Sequence, residues 1–253
     1  MSHEPGAGLH AGAPLGQQPA GGLPGGWVLQ LGPFALLAAA AGYLHSRWES
    51  IPLSFPTHWG ADGRANGWAP RSVASVYGPL VIATALIAVM ALLAQLQRRA
   101  TRPIHPGAPV HYTELRYRRG VLTVLLAGEY MLALTFSWAA MLPLLTGGGT
   151  RMPPQSFLLI IIMPALFVIW TVVYLARLRP RHAPQGGDER SAERHWRAGV
   201  FYVNPEDPSL MVPKPYGLGY TLNFARPAAW LVMALLLAVP LGVAAWVLLH
   251  AAR

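Results

Sequence analysis

The sequence predicts an all-α polytopic membrane protein with five transmembrane helices and a small cytoplasmic loop module that contains a β-hairpin. Hydrophobic residues make up 53% of the chain and charged residues only 11%, whereas about 25% of residues are charged in soluble domains. The apolar residues cluster into five runs, each as long as the roughly 17–25 helical residues that cross a bilayer. Because lipid offers the backbone no hydrogen-bond partners, these runs are expected to be helices. The runs are residues 27–44, 76–96, 121–145, 157–176 and 227–249.

The distribution of charge predicts the orientation of these spans. With the N-terminus on the cytoplasmic side, fourteen of the 19 Lys and Arg residues fall in two cytoplasmic segments, 97–120 and 177–226. Basic inner loops are the usual pattern of membrane proteins. The pattern predicts a multi-pass membrane protein with the N-terminus inside and the C-terminus outside. It also accounts for the net charge of +9 with the lipid bilayer as a partner, so no nucleic-acid partner is predicted.

The spans divide the chain into five parts. Residues 1–26 are rich in Gly and Pro and contain no Lys or Arg, so they are expected to be a disordered tail that cannot bury a core. Two spans joined by an outer loop at residues 47–75 form a first membrane domain, and two further spans follow. A linker and hairpin module then precede the fifth span and a short tail. In chain order the parts are 1–26, 27–96, 97–176, 177–226 and 227–253.

The outer loop is dense in turn-forming residues. Residues 51–68 contain two Pro and three Gly, which predicts successive tight turns. We expect one turn at Asp62-Gly63 and a second at Asn66-Gly67, because Asp-Gly and Asn-Gly pairs accommodate tight reversals. Such a loop is more defined than a plain connector between helices requires.

A candidate ligand-binding site lies in this loop. The two turns would bring an imidazole and a carboxylate within reach of each other, with two Trp side chains supplying apolar surface on either side. The alternative is that the Asp caps a turn and the Trp rings lie at the membrane interface. One His and one Asp are fewer ligands than zinc sites use, so no metal is predicted. The candidate residues are His58, Trp59, Asp62 and Trp68.

Glu129 is the only charged residue within any predicted span. An ionised carboxylate is costly to bury in a bilayer, so intramembrane acids are candidates for function. Because no Lys, Arg or His lies at a comparable depth, we expect Glu129 to be protonated or hydrogen-bonded to Tyr130, Ser137 or backbone groups. A structural polar contact and a role in binding a proton or ligand both remain open.

The segment at residues 177–226 combines a linker with a patterned module. Residues 183–192 are polar and contain Pro and Gly, which predicts a flexible linker. Two β-rich runs at residues 200–203 and 210–212 flank an Asn-Pro-Glu-Asp-Pro turn, which predicts that these two runs pair as a hairpin. The candidate partner-binding residues of this module are Trp196, Tyr202, Asn204, Asp207 and Lys214.

The sequence gives no positive sign of catalysis. It contains no cysteine, which excludes disulfides, thiolate catalysis and Cys-ligated metals. It also lacks the His-Glu-x-x-His, Gly-x-Ser-x-Gly and phosphate-loop motifs. We therefore predict a protein that is not an enzyme and that binds no cofactor. A membrane enzyme using His58 and Asp62 as acid and base is the weakest alternative.

The outer loop carries a spaced pattern of residues: Ile51, Pro52, Pro56, His58, Trp59, Gly63, Gly67 and Trp68. The pattern resembles that of the SdpI-type immunity proteins and their bacterial membrane relatives, and the resemblance covers residues 27–96. Those proteins commonly have Asp and Lys where this chain has Asn66 and Arg71. The segment at residues 217–227 resembles a second, different uncharacterised module, so the resemblance does not extend to the C-terminal half of the immunity proteins.

The resemblance implies a protein of the bacterial cytoplasmic (inner) membrane with a function in defence or signalling. SdpI-type proteins protect a cell from a secreted peptide toxin and relay its presence to a cytoplasmic repressor. By this resemblance the outer loop would bind an extracellular peptide, and the inner module would hold a cytoplasmic regulator. The alternative is a transporter, or an accessory subunit of one, with Glu129 as a polar element of the path.

Overall fold

The computed structural model describes residues 26–100, 111–178, 194–214 and 219–251 of a mostly helical membrane protein with small β-hairpins. Four helical segments in the described ranges are long and apolar enough to cross a membrane. The predicted tail up to residue 25 and the predicted linker at residues 183–192 lie outside the described residues. The four spans are Val28–Ser46, Val73–Arg99, Arg116–Thr146 and Pro154–Leu178.

The elements alternate between spanning helices and short hairpins. In chain order they are α1 (Gly26–Ser46), a 3₁₀ turn (Trp48–Ser50), β1 (Ser54–Trp59), β2 (Ala65–Pro70), α2 (Val73–Ala100), α3 (His111–Thr146), α4 (Pro154–Phe157), a π-helical turn (Leu158–Ile162), α5 (Met163–Leu178), β3 (Trp196–Arg197), β4 (Phe201–Tyr202), β5 (Met211–Pro213), β6 (Tyr220–Leu222) and α6 (Pro227–Ala251). α3 begins ten residues before the predicted apolar run. Its first turns continue the helix with polar residues that favour helix, among them three Arg.

The fifth predicted span corresponds to α6. Its helix runs over Pro227–Ala251. Within it, Pro227–Ala238 forms a shorter apolar helical stretch. A helix of 25 residues has the length to cross a bilayer. The crossing itself stays a prediction.

The core of the bundle lies between α1, α2 and α3. Small side chains on each helix are buried there, among them Ala40, Ala83 and Ala133, and such residues allow membrane helices to approach closely. Gly32 is needed for the same reason, because a Cβ at this position would lie 1.9 Å from the hydroxyl of Tyr130. The fourth span packs against the side of this core. Only 6% of its apolar stretch is buried, compared with 28–33% for the other three spans.

The fourth span contains a local irregularity. One π-helical turn, Leu158–Ile162, joins α4 to α5. Pro164 follows this turn and has no N–H to donate to the preceding turn of helix, so the regular ladder is broken at this level. Thr135 of α3 donates to the carbonyl oxygen of Leu159 over 3.5 Å. The irregular turn is thereby held against α3.

The C-terminal module does not pair as predicted. β4 pairs with β3, and β5 pairs with β6, both antiparallel; the predicted hairpin between the runs at 200–203 and 210–212 is wrong. The cause lies in Ala198 and Gly199, whose positive φ angles of 51° and 69° reverse the chain directly before β4. β4 therefore pairs backwards along the chain, and an isolated parallel bridge between Tyr202 and Asn223 joins the two hairpins.

The two sets of hairpins lie at opposite ends of the bundle. The β1–β2 hairpin connects the end of α1 to the start of α2. The module packs at the other end of α2, where Leu96 contacts its small core. Tyr117 at the start of α3 also accepts a hydrogen bond of 2.7 Å from the backbone N–H of Gly219. The module and the β1–β2 hairpin therefore lie at opposite ends of α2.

Candidate functional site

The outer loop forms a well-defined antiparallel hairpin. The N–H of Gly60 donates to the carbonyl of Arg64 over 2.8 Å, and the N–H of Gly63 donates to the carbonyl of Gly60 over 2.9 Å. Gly63 has a φ of 70°, a left-handed conformation that glycine adopts at little cost. Asp62 accepts the N–H of Arg64 over 3.0 Å. The predicted turn at Asp62-Gly63 is confirmed.

The predicted second turn at Asn66-Gly67 is wrong. Both residues lie within β2, where Gly67 is the register partner of His58. The register shifts on either side of this pair, so the strands carry a bulge that re-aims the side chains near it. A Cβ on Gly67 would lie 2.9 Å from the Cβ of His58. The glycine is thus required by the close approach of the two strands.

The bulge pairs His58 with Asn66 and not with Asp62. The ring Nδ1 of His58 is hydrogen-bonded to Oδ1 of Asn66, and the carboxylate of Asp62 faces its neighbour Arg64 at 4.0 Å. Across the part of the chain that the structure describes, no hydrogen bond or ion pair links His58 to Asp62. The expected pairing of imidazole and carboxylate is therefore not formed, because the turn ends at Arg64 and turns the carboxylate towards its own backbone.

The hairpin is fastened to the connection between α3 and α4. The N–H of Ala65 donates to the carbonyl of Thr150 over 2.7 Å, and the N–H of Met152 donates to the carbonyl of Gly63 over 3.0 Å. These two bonds form an isolated antiparallel bridge between Arg64 and Arg151 at the tip of the hairpin. The loop between the first two spans and the loop between the next two therefore form one unit at this end of the bundle.

Arg71 fastens the base of the hairpin. Its guanidinium donates to the carbonyls of Trp48 and Ile51 over 3.0 and 3.1 Å and lies 5.7 Å from the ring centroid of Trp48. That ring stacks on Tyr77 of α2 at 6.1 Å. An ion pair with the exposed Glu49 at 3.4 Å adds little in water. The cation thus closes the end of α1 onto the start of α2.

A cavity of about 420 Å³ lies between the hairpin and the ends of the spanning helices. This volume falls in the range of about 300–1,000 Å³ of small-ligand sites. Apolar side chains dominate the lining, and the few polar groups come from β1 and from the start of α2. The helical part of the wall includes the π-helical turn. Lining residues that bear on binding are His58, Trp59, Pro79, Leu142, Phe157 and Ile160.

The four candidate loop residues fall into two pairs. His58 and Trp59 line the cavity, whereas Asp62 and Trp68 are not among its lining residues. The indole Nε1 of Trp59 is buried and has no hydrogen-bond partner among the described residues. Trp68 is 48% exposed on the other strand. The cavity therefore contains one ring with a hydrogen-bond donor and one imidazole.

Glu129 lies in a second, separate polar cluster inside the bundle. Its side chain is 0% exposed, and Gln30 of α1 beside it is 8% exposed. Gln30 is in interaction range of the carboxyl group, although neither carboxyl oxygen forms a hydrogen bond of normal length to any described residue. Tyr130, expected as a partner, donates instead to the carbonyl of Leu29 over 2.9 Å. The hydroxyl of Ser137 is likewise buried without a described partner.

The candidate residues of the inner module are largely used within the module. The hydroxyl of Tyr202 donates to Asp207 over 3.1 Å and accepts from the amide of Asn204 over 3.1 Å. Asn223 is 0% exposed and donates to the carbonyls of Asn204 and Asp207 over 2.8 and 3.0 Å. Trp196 and Lys214 are half-buried. Asn204 is half-buried as well. Partner binding by the five candidate residues stays a prediction.

Sequence reasoning missed the partners that define both sites. Asn66, Arg71 and Asn223 each act through the backbone or a neighbour that is distant along the chain, and Gln30 is a neutral residue near the end of its span. Their signal in the sequence is weak, since polar residues near turns and helix ends are common.

Within the described ranges no group of three or more His, Asp or Glu side chains is placed to hold a metal ion.

Comparisons with known proteins match two separate parts of the chain. A domain of unknown function, DUF1648, matches residues 34–84, which include most of α1, the hairpin and the start of α2. A family of unknown function, DUF5808, matches residues 205–230, which include β5, β6 and the start of α6. Neither curated proteins nor solved structures show a significant match. The chain thus joins two uncharacterised domains on one set of membrane helices.

Proposed function

We propose that this protein is a non-enzymatic receptor or resistance protein of the bacterial inner membrane, and that the cavity beneath the β1–β2 hairpin binds an extracellular peptide. The observation that supports the proposal is the cavity itself, whose apolar wall combines Trp59 and His58 with the ends of three spans. A hairpin fastened by Arg71 and by residues 150–152 is pre-organised, so little freedom is lost on binding.

The polar groups of the cavity suit a peptide bond. The amide oxygen of Asn66 accepts a hydrogen bond, so in the neutral imidazole Nδ1 of His58 carries the proton and Nε2 is left as an acceptor. The indole N–H of Trp59 is a donor without a partner among the described residues. One donor and one acceptor on adjacent residues match the C=O and N–H of a backbone segment. The apolar wall would hold the neighbouring side chains.

The arrangement at the two ends of the bundle supports a receptor that relays binding inward. The positive-inside pattern predicts that the hairpin lies outside and the module inside. α2 connects the two, because its first turns line the cavity and its last turns pack on the module. A peptide toxin or a signalling peptide would be the ligand, as the resemblance to SdpI-type proteins implies. The module would hold a cytoplasmic regulator.

The test compares Trp59→Phe with Trp68→Phe in a strain lacking the gene. Trp59→Phe removes the indole N–H while keeping an aromatic ring, and we expect normal membrane abundance with at least tenfold lower survival on the peptides secreted by competing cells. Tenfold corresponds to about 1.4 kcal/mol, the size of one lost hydrogen bond. Trp68→Phe changes a ring outside the cavity and should protect fully.

Two results would contradict the proposal. Full protection by Trp59→Phe and by His58→Ala would show that the cavity does not bind the peptide. Loss of solute flux in Glu129→Gln with unchanged peptide tolerance would favour the transporter alternative.

Binding can be followed separately by photo-crosslinking from a benzoyl-phenylalanine at Phe157, which lines the cavity, to peptides of the culture medium.

A further inference from the structure

Three polar side chains from three different helices meet inside the bundle. Glu129 of α3 and Gln30 of α1 are buried, and Nε2 of Gln95 on α2 donates to Oε1 of Gln30 over 3.1 Å. Nε2 of Gln30 and both carboxyl oxygens of Glu129 are buried without a hydrogen-bond partner among the described residues. Gln30 lies next to the carboxyl group. This polar cluster, Gln30–Gln95–Glu129, is separate from the hairpin cavity.

The position of the cluster is held by the backbone. Tyr130 donates to the carbonyl of Leu29, one residue before Gln30, over 2.9 Å. Gly32 leaves the space for that phenol ring. α1 and α3 are therefore fastened together at the level of the cluster, and Gln30 cannot move away from Glu129 without breaking this contact.

The groups around Glu129 carry no compensating charge. From α1 it meets Gln30 and from α2 the cluster includes Gln95, while the adjacent Gly128 packs against Met90 of α2 and Phe167 of α5. Tyr130, the next residue along α3, is titratable, and its hydroxyl donates to the carbonyl of Leu29 on α1. Along the described parts of these helices, the Arg and His residues occur towards the helix ends. They are His45 on α1, Arg98 and Arg99 on α2, His111, Arg116, Arg118 and Arg119 on α3, and Arg177 on α5. An ionised Glu129 thus has only amide dipoles to stabilise it.

The two glutamines can hydrogen-bond to either state of the acid. When Glu129 is ionised, Nε2 of Gln95 donates to Oε1 of Gln30, as in the structure, and Nε2 of Gln30 donates to the carboxylate. With Glu129 protonated, both amides turn over, so that the carboxyl O–H donates to Oε1 of Gln30 and Nε2 of Gln30 donates to Oε1 of Gln95. The oxygen and nitrogen ends of an amide have nearly the same shape, so the reversal needs no movement of the helices.

We propose that Gln30, Gln95 and Glu129 form an intramembrane site that binds and releases a proton, with the amide chain reversing its direction between the two states. The adjacent Gly128 is closely packed, since a Cβ on it would lie 2.6 Å from Met90. Gln95 lies five residues before the end of α2, about 8 Å along the axis. Exchange therefore takes place towards the side of the inner module.

Infrared difference spectroscopy of the purified full-length protein in nanodiscs tests this site. A carboxyl group in a dry environment has a C=O stretching band distinct from that of carboxyl groups in water. We expect such a band in the wild type at low pH and its loss on raising the pH, reversibly. Glu129→Gln should lack the band at every pH, whereas Glu49→Gln, which changes an exposed acid, should retain it.

The partners of the acid are tested in the same way. Gln30→Leu and Gln95→Leu should shift the frequency of the band, because they remove hydrogen bonds from the cluster, and Gln155→Leu, at an exposed position of α4, should leave it unchanged. A band that persists at all pH values in folded protein would identify a permanently protonated structural acid. Absence of any band assignable to Glu129, or a frequency insensitive to both glutamines, would equally overturn the proposal. Size-exclusion profiles and helical circular dichroism confirm that each variant is folded.

Discussion

At the scale of single residues, the hairpin depends on the side chain that is missing at Gly67. The two strands approach closely at the register pair of His58 and Gly67, and this approach lets the imidazole bond to Asn66. A strand glycine opposite a bulge marks such a close contact. Gly67, which the sequence predicted to lie in a turn, therefore positions the candidate site by letting the two strands approach closely.

Gly67→Ala should destabilise the hairpin. The new Cβ would lie 2.9 Å from the Cβ of His58 and 3.7 Å from its backbone N, so β1 must shift, at a cost of about 1–3 kcal/mol. Thermal unfolding of the purified protein in detergent, with proteolysis of the outer loop as a local probe, measures the loss. The matched control is Gly42→Ala, where nothing lies within 4 Å of the added methyl group. Gly42→Ala should leave the stability of the protein unchanged or raise it by up to about 1 kcal/mol. An equal loss of stability in both variants would contradict the expected clash.

At the scale of elements, hydropathy predicted the spans and local turn chemistry predicted one reversal of the chain. Both depend on neighbouring residues, which is why four spans and the turn at Asp62-Gly63 are found where they were expected. Strand pairing in the module depends on more distant groups. Two runs with the same β preference could pair with each other or with later strands, and the left-handed Ala198 has no signal in its residue type. The partner of a polar side chain, such as Asn66 for His58, is equally invisible in a single sequence.

Asn223 unites the two hairpins of the module, and its removal should open them. The side chain donates to two carbonyls and accepts the N–H groups of Asn204 and Ala225 over 3.0 and 3.2 Å. Asn223→Ala leaves these buried groups unpaired, which costs about 1–3 kcal/mol for each unsatisfied group. Limited proteolysis of inside-out vesicles should then cut between residues 200 and 210 several times faster than in wild type. Glu206→Ala, at an exposed position of the same loop, serves as control, and unchanged cutting of Asn223→Ala would show that the network does not hold the module.

At the scale of the whole molecule, the β1–β2 hairpin and the C-terminal module lie at opposite ends of one helical bundle. α2 reaches from the hairpin cavity to the module, and Gln95 of the polar cluster lies on α2 between these two ends. A ligand at the proposed peptide site and a proton at the proposed cluster would therefore act on two shared helices, α2 and α3. Coupling between them needs a helix arrangement that both favour. The prerequisite for any such coupling is the predicted orientation of the bundle.

Single-cysteine labelling tests that orientation, since the native chain contains no cysteine. Ala61→Cys at the exposed hairpin turn should react with a membrane-impermeant thiol reagent on intact spheroplasts, because the basic loops hold the other end of the bundle in the cytoplasm. Glu206→Cys at an exposed position of the module should react only after permeabilisation, which also shows that its thiol is accessible. Ala252→Cys should react on intact spheroplasts if α6 crosses the membrane. Labelling of Glu206→Cys but not Ala61→Cys on intact spheroplasts would invert the predicted orientation and move the proposed peptide site to the cytoplasm. Labelling of Ala252→Cys only after permeabilisation would show that α6 does not cross and that the protein has four spans.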